Sequence, residues 1–308
     1  MTKDEFKIPG TLNIAIALSV NAVCISLLVA SGAVHSLWGV ALLSVGYAVV
    51  MTTGYGIIHE AEHNLLHENR FLNNGIGVVT AFFFPAPYHL LRQGHLGHHM
   101  RNRSDDEAFD YYFEGDNPIW KFMQLYGTMV GCFWIVAFLS NFLAVFYPRA
   151  FDPKSISFDR PSQAFLETLN PKYTRWIQLE AFLIICFHTT LILVFQIPIS
   201  HWLAVLFGFG FLWSAMQYVH HYGTVRDVRR GAKNLRTLSF LDLMWLNHNW
   251  HLNHHMQPTV PWIYLPKLYP EEEFQHRQGL LRSYVQMWRG PQFTNERVRN
   301  RYAGRIIK

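Results

Sequence analysis

Seventeen histidines occur in the 308-residue chain, and twelve of them fall into four tight groups: His59, His63 and His67; His95, His98 and His99; His220 and His221; and His248, His251, His254 and His255. Neutral imidazole is the commonest metal-ligating side chain, and spacings of three or four residues bring helical side chains onto one face. His59 and His63 form an H-x-x-x-H pair, while GHLGHH (94–99) and HLNHH (251–255) each contain H-x-x-H-H, three ligands on about one turn. HEAEH at 59–63 also fits the H-E-x-x-H pattern of zinc proteases, with Glu60 as general base. That reading uses His59, Glu60, His63 and one further ligand, and leaves both H-x-x-H-H triplets without a role. A haem protein spreads single ligands on facing helices, whereas here they come in triplets. A zinc ion takes about three or four protein ligands, so roughly nine imidazoles are enough for two metals at four or five apiece. Imidazole serves iron, copper and zinc alike, so the ligand type does not name the element.

The elements that must position these groups are apolar. Charged residues make up only 15% of the chain against 50% hydrophobic, where an ordinary soluble domain carries about 25% charged. No Asp, Glu, Lys or Arg lies between Lys7 and Glu60, or between Glu180 and Arg226. A spanning helix needs about 20 apolar residues, so each run accommodates two passes, turning at Gly32–Ser36 in the first and Pro198–Ser200 in the second. The cations gather at the N-terminus and at 92–121, 149–175 and 226–308. By the positive-inside tendency, both hairpins enter from the cytoplasm, with both termini and every histidine group on that side. The shorter uncharged runs, Phe71–Leu91 and Phe122–Pro148, are expected to be interfacial or re-entrant. The expectation is an all-α integral membrane protein of about four transmembrane helices with a cytoplasmic histidine-rich cap, one domain over 1–308. MTKDEFKIPG mixes acids and bases and suggests no cleaved signal peptide. Cys24, Cys132 and Cys186 read as buried small hydrophobes, with no disulfide framework. His35, His89, His188, His201 and His276 read as packed or solvated side chains, and His67 lies one turn beyond His63 on the same face.

Taken in order, the boxes at 59–63, 95–99 and 251–255 resemble the integral-membrane fatty acid desaturase and hydroxylase superfamily, the histidine-box di-iron enzymes, over roughly residues 40–270. HLNHHMQPTVPWIYLP (251–266) is similar to the third box of acyl desaturases and carotenoid ketolases. QYVHHYG (217–223) is similar to the segment that gives the alkane hydroxylase branch an extra histidine. The resemblance implies two non-haem irons held by His59, His63, His95, His98, His99, His221, His251, His254 and His255. His221 is preferred to His220 because neighbours on a helix diverge by about 100°. Glu60 and Glu62 are candidates to orient imidazole N–H groups from outside the ligand set, as are His220 and His248, the latter also an alternative ligand.

The resemblance further implies O2 as co-substrate and oxidation of an unactivated C–H bond in a lipid chain. Desaturation is the first expectation, then hydroxylation or terminal-alkene-forming decarboxylation. No ferredoxin, cytochrome or flavin motif is present, so electrons are expected from an external donor such as a ferredoxin, a cytochrome or a flavoprotein reductase. The basic tail at 271–308, with Arg277, Arg282, Arg289, Arg297, Arg299, Arg301 and Arg305, is expected to meet anionic headgroups, dock an acidic donor or remain solvated. Nucleic acid is not suggested, and the bacterial inner membrane is the expected location.

Overall fold

A computed structural model describes residues 6–156, 158–268 and 277–307. His276, read above as lying outside every cluster, is not among them. Among the described residues four helices are long and apolar enough to span a bilayer: Gly10–Ala33, Leu37–Glu62, Pro171–Val194 and Ile199–Met216. In chain order the helices are α1 Gly10–Ala33, α2 Leu37–Glu62, α3 Arg70–Ala81, α4 Tyr88–Arg101, α5 Pro118–Met129, α6 Cys132–Phe146, α7 Arg160–Glu167, α8 Thr174–Val194, α9 Ile199–Met216, α10 Ser239–Met244, α11 His251–Met256 and α12 Leu280–Met287. Among the described residues, sheet is confined to two parallel pairs of two-residue strands. The chain is therefore an all-α integral membrane protein.

Helix α2 is the axis, packed against α1, α3, α4 and α9. Its core partners include Ala17, Cys24 and Leu28 of α1 and Val205, Leu206 and Phe209 of α9, which close on Tyr47, Met51 and Ile57. Of the three cysteines only Cys24 is buried; Cys132 is exposed and Cys186 partly so. Reading all three as buried conflated two environments, because an apolar position on a spanning helix can face lipid instead of protein.

The run Phe71–Leu91 goes deeper than a surface-lying element. After α3 the backbone leaves helical geometry over 82–87, and its carbonyls are taken by side chains from inside the spans. Tyr47 Oη–H donates to Phe83 O at 2.5 Å, Trp134 Nε1–H to Phe84 O at 2.9 Å, Asn141 Nδ2–H to Pro85 O at 2.8 Å, and His188 Nε2 lies 2.9 Å from Phe82 O. Irregular backbone at membrane depth is tolerated only where its polar groups are met within the protein, and four donors do so here. His188 also accepts the Trp202 indole N–H at 3.1 Å, which fixes it as a packed histidine. Phe122–Pro148 forms two helices, α5 and α6, bent by 85°. The corner is Gly131 at φ 103°, a left-handed conformation open to glycine.

The basic tail is folded rather than loose. Asp105 N–H donates to Val298 O, Val298 N–H to Asp105 Oδ1, and Ile307 N–H to Thr168 O, so residues 298–307 run along the segments that follow α4 and α7. Arg277 donates to Leu235 O and Asp242, and Arg297 lies 3.9 Å over the Phe113 ring. Arg277 thus has partners in the cap, while Arg282, Arg289, Arg297, Arg299, Arg301 and Arg305 are exposed.

The turns at residues 34–36 and 195–198 share one end of the bundle, and Gly10, against the His67 ring, lies at the other with the histidine groups. Topology reporters fused at residue 34 and at residue 199 are expected to report the far side of the membrane from reporters at either terminus. Cytoplasmic activity at 34 or 199 would overturn this orientation.

Candidate metal centre

Four chain segments carry the histidines to one place. His59 sits in the last turn of α2, and His63 closes that helix. Asn64 then adopts φ 60°, and Leu65 N–H bonds back to Glu60 O at 2.7 Å, a left-handed helix stop. This stop removes His67 from the expected shared face: its Nδ1 instead accepts from Asn69 N–H at 2.9 Å. His95, His98 and His99 occupy the second half of α4, His220 and His221 the turn after α9, and His251, His254 and His255 the six-residue α11. So short a helix has little stability of its own and is pinned by asparagines. Asn234 Oδ1 accepts from Leu252 N–H at 3.0 Å, and Asn253 Nδ2 donates to Leu265 O and Leu268 O at 2.8 and 2.9 Å.

The imidazoles form two groups, His59/His63/His95/His254 and His98/His221/His251/His255, with the ligand atoms of each group within 4.8 Å of one another. Nε2–Nε2 distances run 2.7 Å from His63 to His95, 3.1 Å from His95 to His99 and 2.9 Å from His99 to His254. The second series runs 3.2 Å from His98 to His255, 3.2 Å from His255 to His251 and 3.0 Å from His251 to His221. His99 therefore adjoins the first group, with its ring 4.4 Å from His255 of the second.

Hydrogen bonds between imidazoles do not account for the second series. Glu107 holds His98 Nδ1, and Gly231 O lies 2.8 Å from His221 Nδ1. Both partners are acceptors, so each ring carries its proton on Nδ1 and turns an Nε2 lone pair inward. His255 and His251, between them, would each need one N–H: pointing both outward leaves two N–H groups facing each other, and pointing either inward leaves an end lone pair unmet. Four inward lone pairs around a cation remove the conflict. Ligands about 2.1 Å from one ion, at angles near 90–110°, stand roughly 3.0–3.4 Å apart, which matches these spacings. His59 Nε2, buried and without a hydrogen-bond partner, makes the same point in the first group. Burial holds His63, His95, His99, His221, His251, His254 and His255 well below the ordinary imidazole pKa, and neighbouring imidazoles add to the effect. They stay neutral, the form that ligates.

The outer contacts differ from the sequence expectation. Glu60 Oε2 accepts from Trp262 N–H at 3.2 Å, while its Oε1 lies 3.9 Å from His59 Nδ1, beyond hydrogen-bond range. Glu62 Oε2 has no partner. The acid that does hold one of these rings is Glu107, on His98, and it also accepts from Arg101 Nε at 3.1 Å; no spacing rule singled it out of RNRSDDEAFD. Gly231 acts through its backbone and left no side-chain signal. His248 lies edge-on to His59 at 4.8 Å and tilted to His251 at 4.9 Å, and His220 lies 4.6 Å from His251; both stand beside the two groups and belong to neither. His89, read as a lone histidine, pairs through its ring and its backbone N–H with buried Glu180 of α8, which anchors the first turn of α4.

A model of the fatty acid desaturase family matches residues 36–289. The chain belongs to the fatty acid desaturase family. Its chemistry is therefore oxidation of the desaturase and hydroxylase type, and a membrane setting with a lipid substrate fits that family. A separate comparison with curated proteins found no match.

Histidines held neutral in the fold but free to protonate when unfolded make stability depend on pH. Above the unfolded value of about 6.5 neither state binds these protons, so they contribute no pH dependence. Below it the unfolded chain takes up protons that the fold refuses, at about 1.4 kcal/mol per histidine per pH unit. The chelator-treated protein should melt at a constant temperature between pH 8 and 7 and at steeply falling temperatures below 6.5. A flat profile down to pH 5 would contradict the neutral cluster.

Proposed function

We propose that this chain is a di-iron membrane oxidase that uses O2 to oxidise an unactivated C–H bond in a fatty acyl or related lipid chain. The observation that carries the proposal is the pair of four-imidazole groups, each with its ligand atoms within 4.8 Å of one another. One iron is held by His59, His63, His95 and His254 with His99 beside them, the other by His98, His221, His251 and His255. When bound, the two irons supply O2 activation with electrons from outside the chain. The protein's own part is to orient and exclude. Glu107 and the Gly231 carbonyl fix the tautomers of His98 and His221, the cap keeps water from the cluster, and the spans deliver a chain already dissolved in the bilayer.

Desaturation is the preferred outcome, in keeping with the family. Hydroxylation and terminal-alkene-forming decarboxylation use the same cluster and differ in what leaves the substrate. The zinc-protease reading needs Glu60 as a free base facing the metal, and that carboxylate already accepts the Trp262 N–H at 3.2 Å. We further infer one domain over 1–308 and a cytoplasmic cluster in a bacterial inner membrane. The external donor, a ferredoxin, cytochrome or flavoprotein reductase, would approach the basic cap.

Purified protein should contain iron near two equivalents and little zinc. His98→Ala and His254→Ala should each lose iron and O2-dependent product while still inserting in the membrane, because neither residue lies in a spanning run. Glu60→Gln should lower activity by no more than roughly 10–100-fold. One zinc without iron, together with a far larger loss in Glu60→Gln, would return the protease reading.

A further inference from the structure

Two helices outside the spanning hairpins turn apolar side chains outward. On α12, Leu281, Val285 and Trp288 recur at helical spacing and share one face; on α5, Ile119 and Met123 do the same. Each of these five is at least half exposed. Tyr126, one turn beyond Met123, stacks on Trp288 at 5.5 Å and donates its hydroxyl to Trp288 O at 3.0 Å. The two outward faces therefore join in one apolar strip. The opposite faces are spent on the protein: Leu125 and Met129 of α5 and Met287 of α12 are fully buried against Tyr218 and Val219.

The spanning helix α9 fixes the height of this strip. A Cβ at Gly131, the corner between α5 and α6, would stand 3.0 Å from the Phe207 ring and 3.4 Å from the Phe211 backbone. Phe211 lies roughly 8 Å before the end of α9 at Met216, at 1.5 Å per residue. The C-terminal end of α5 thus reaches membrane depth. Ser214 of α9 clamps the same turn, donating to Thr128 O at 2.6 Å and accepting from Phe133 N–H at 3.2 Å. Tyr284 of α12 donates to Met129 O at 3.3 Å, just short of the corner, so α12 is held one tyrosine side chain away from it. Beyond the corner the strip continues into Val130, Phe133 and Val136, which are exposed on the flank of the bundle.

An outward face at that height meets acyl chains and headgroups. Arg282 and Arg289 follow Leu281 and Trp288 by one position each, so cations edge the apolar face of α12; both are exposed and have no hydrogen-bond or ion-pair partner among the described residues. A helix with an apolar face and basic edges lies in the plane of a membrane and favours anionic lipid. An acidic electron donor is the other claimant on a basic surface, but it would have to cover a strip that runs on into the membrane flank. We propose that α5 and α12 form an in-plane membrane-binding surface. Ile119, Met123, Leu281, Val285 and Trp288 sink among acyl chains, and Arg282 and Arg289 hold the phosphate of an anionic phospholipid in the leaflet on the histidine side. The inference rests on the membrane fold and is independent of the reaction at the cluster.

The test introduces Met123→Cys, Val285→Cys or Glu296→Cys into the iron-loaded full-length protein, with Cys132→Ser and Cys186→Ser to leave only the buried Cys24. Glu296 is exposed on the tail segment that Arg226 ties to Asp105, and serves as the aqueous control. Each cysteine is labelled with the fluorophore NBD and read in nanodiscs of phosphatidylcholine with or without phosphatidylglycerol. Labels at 123 and 285 should emit to the blue and be quenched by nitroxide on lipid chains, whereas the label at 296 should be quenched by aqueous iodide. A nitroxide carried by phosphatidylglycerol should quench the label at 285 roughly three times as strongly as one carried by phosphatidylcholine, or more. Arg282→Gln with Arg289→Gln, at unchanged iron content, should make the two lipids equal. Iodide quenching at 123 and 285 as strong as at 296 overturns the membrane surface. Equal quenching by the two lipids before the arginines are replaced overturns the anionic headgroup site. Protection of the label at 285 from iodide only when a reduced [2Fe–2S] ferredoxin is added would give this face to an electron donor instead.

Discussion

Lone pairs repel, and this protein gathers eight imidazole nitrogens into two groups, each with its ligand atoms within 4.8 Å of one another, with those of His98 and His221 presented as bare lone pairs. Such an arrangement in a low-dielectric interior is costly unless a cation occupies it. The fold must therefore force convergence from several directions. It does so with four chain segments, each arriving at the same end of the bundle: the end of α2, the second half of α4, the turn after α9 and the short α11. None of them has enough local preference to hold its histidines in place, and each is tied down by groups that ligate nothing. Glu107 and Arg101 secure α4, Gly231 holds His221, and Asn234 with Asn253 hold α11.

The membrane part serves that convergence. The residues between α3 and α4 abandon helical geometry inside the bundle, and this break lets α4 start where its last turns reach the cluster. Tyr47, Trp134, Asn141 and His188 come from three different spans or re-entrant helices to satisfy the freed carbonyls. Glu180 then grips the first turn of α4 from α8 through His89. A set of polar side chains in otherwise apolar helices thus acts as one bracket for the histidine-bearing helix.

On the other side of the cluster a second bracket is fully buried. Arg103 donates to Asp110 Oδ1 at 2.6 Å, to Tyr218 Oη at 2.7 Å and to Thr224 O at 2.8 Å, while Gly223 N–H donates to Asp110 Oδ2 at 2.8 Å. The segment after His98 and His99 is locked by these bonds to the segment holding His220 and His221. Removing either partner would strand a buried charge, so this network is a strong determinant of how the two histidine segments lie. The tail from 298 to 307 closes over the same region through Asp105 and Thr168.

The sequence alone determined the spans, because hydrocarbon demands long uncharged helices and two double-length runs supply them. It also determined the histidine inventory, since the H-x-x-x-H and H-x-x-H-H spacings put ligands on one face whatever surrounds them. Tertiary structure decided the rest. The choice between neighbours such as His220 and His221 turns on which ring reaches the other imidazoles: His221 Nε2 lies 3.0 Å from His251 Nε2, whereas His220 Nε2 meets no partner. Glu60 sits beside His59 in sequence yet bonds Trp262, whereas Glu107, nine residues past His98, turns back to orient it. His67 has helical spacing from His63 but lies past the point where Asn64 stops the helix. Periodicity reports which residues can share a face; which partner waits behind each ring is set by long-range packing that no local spacing encodes.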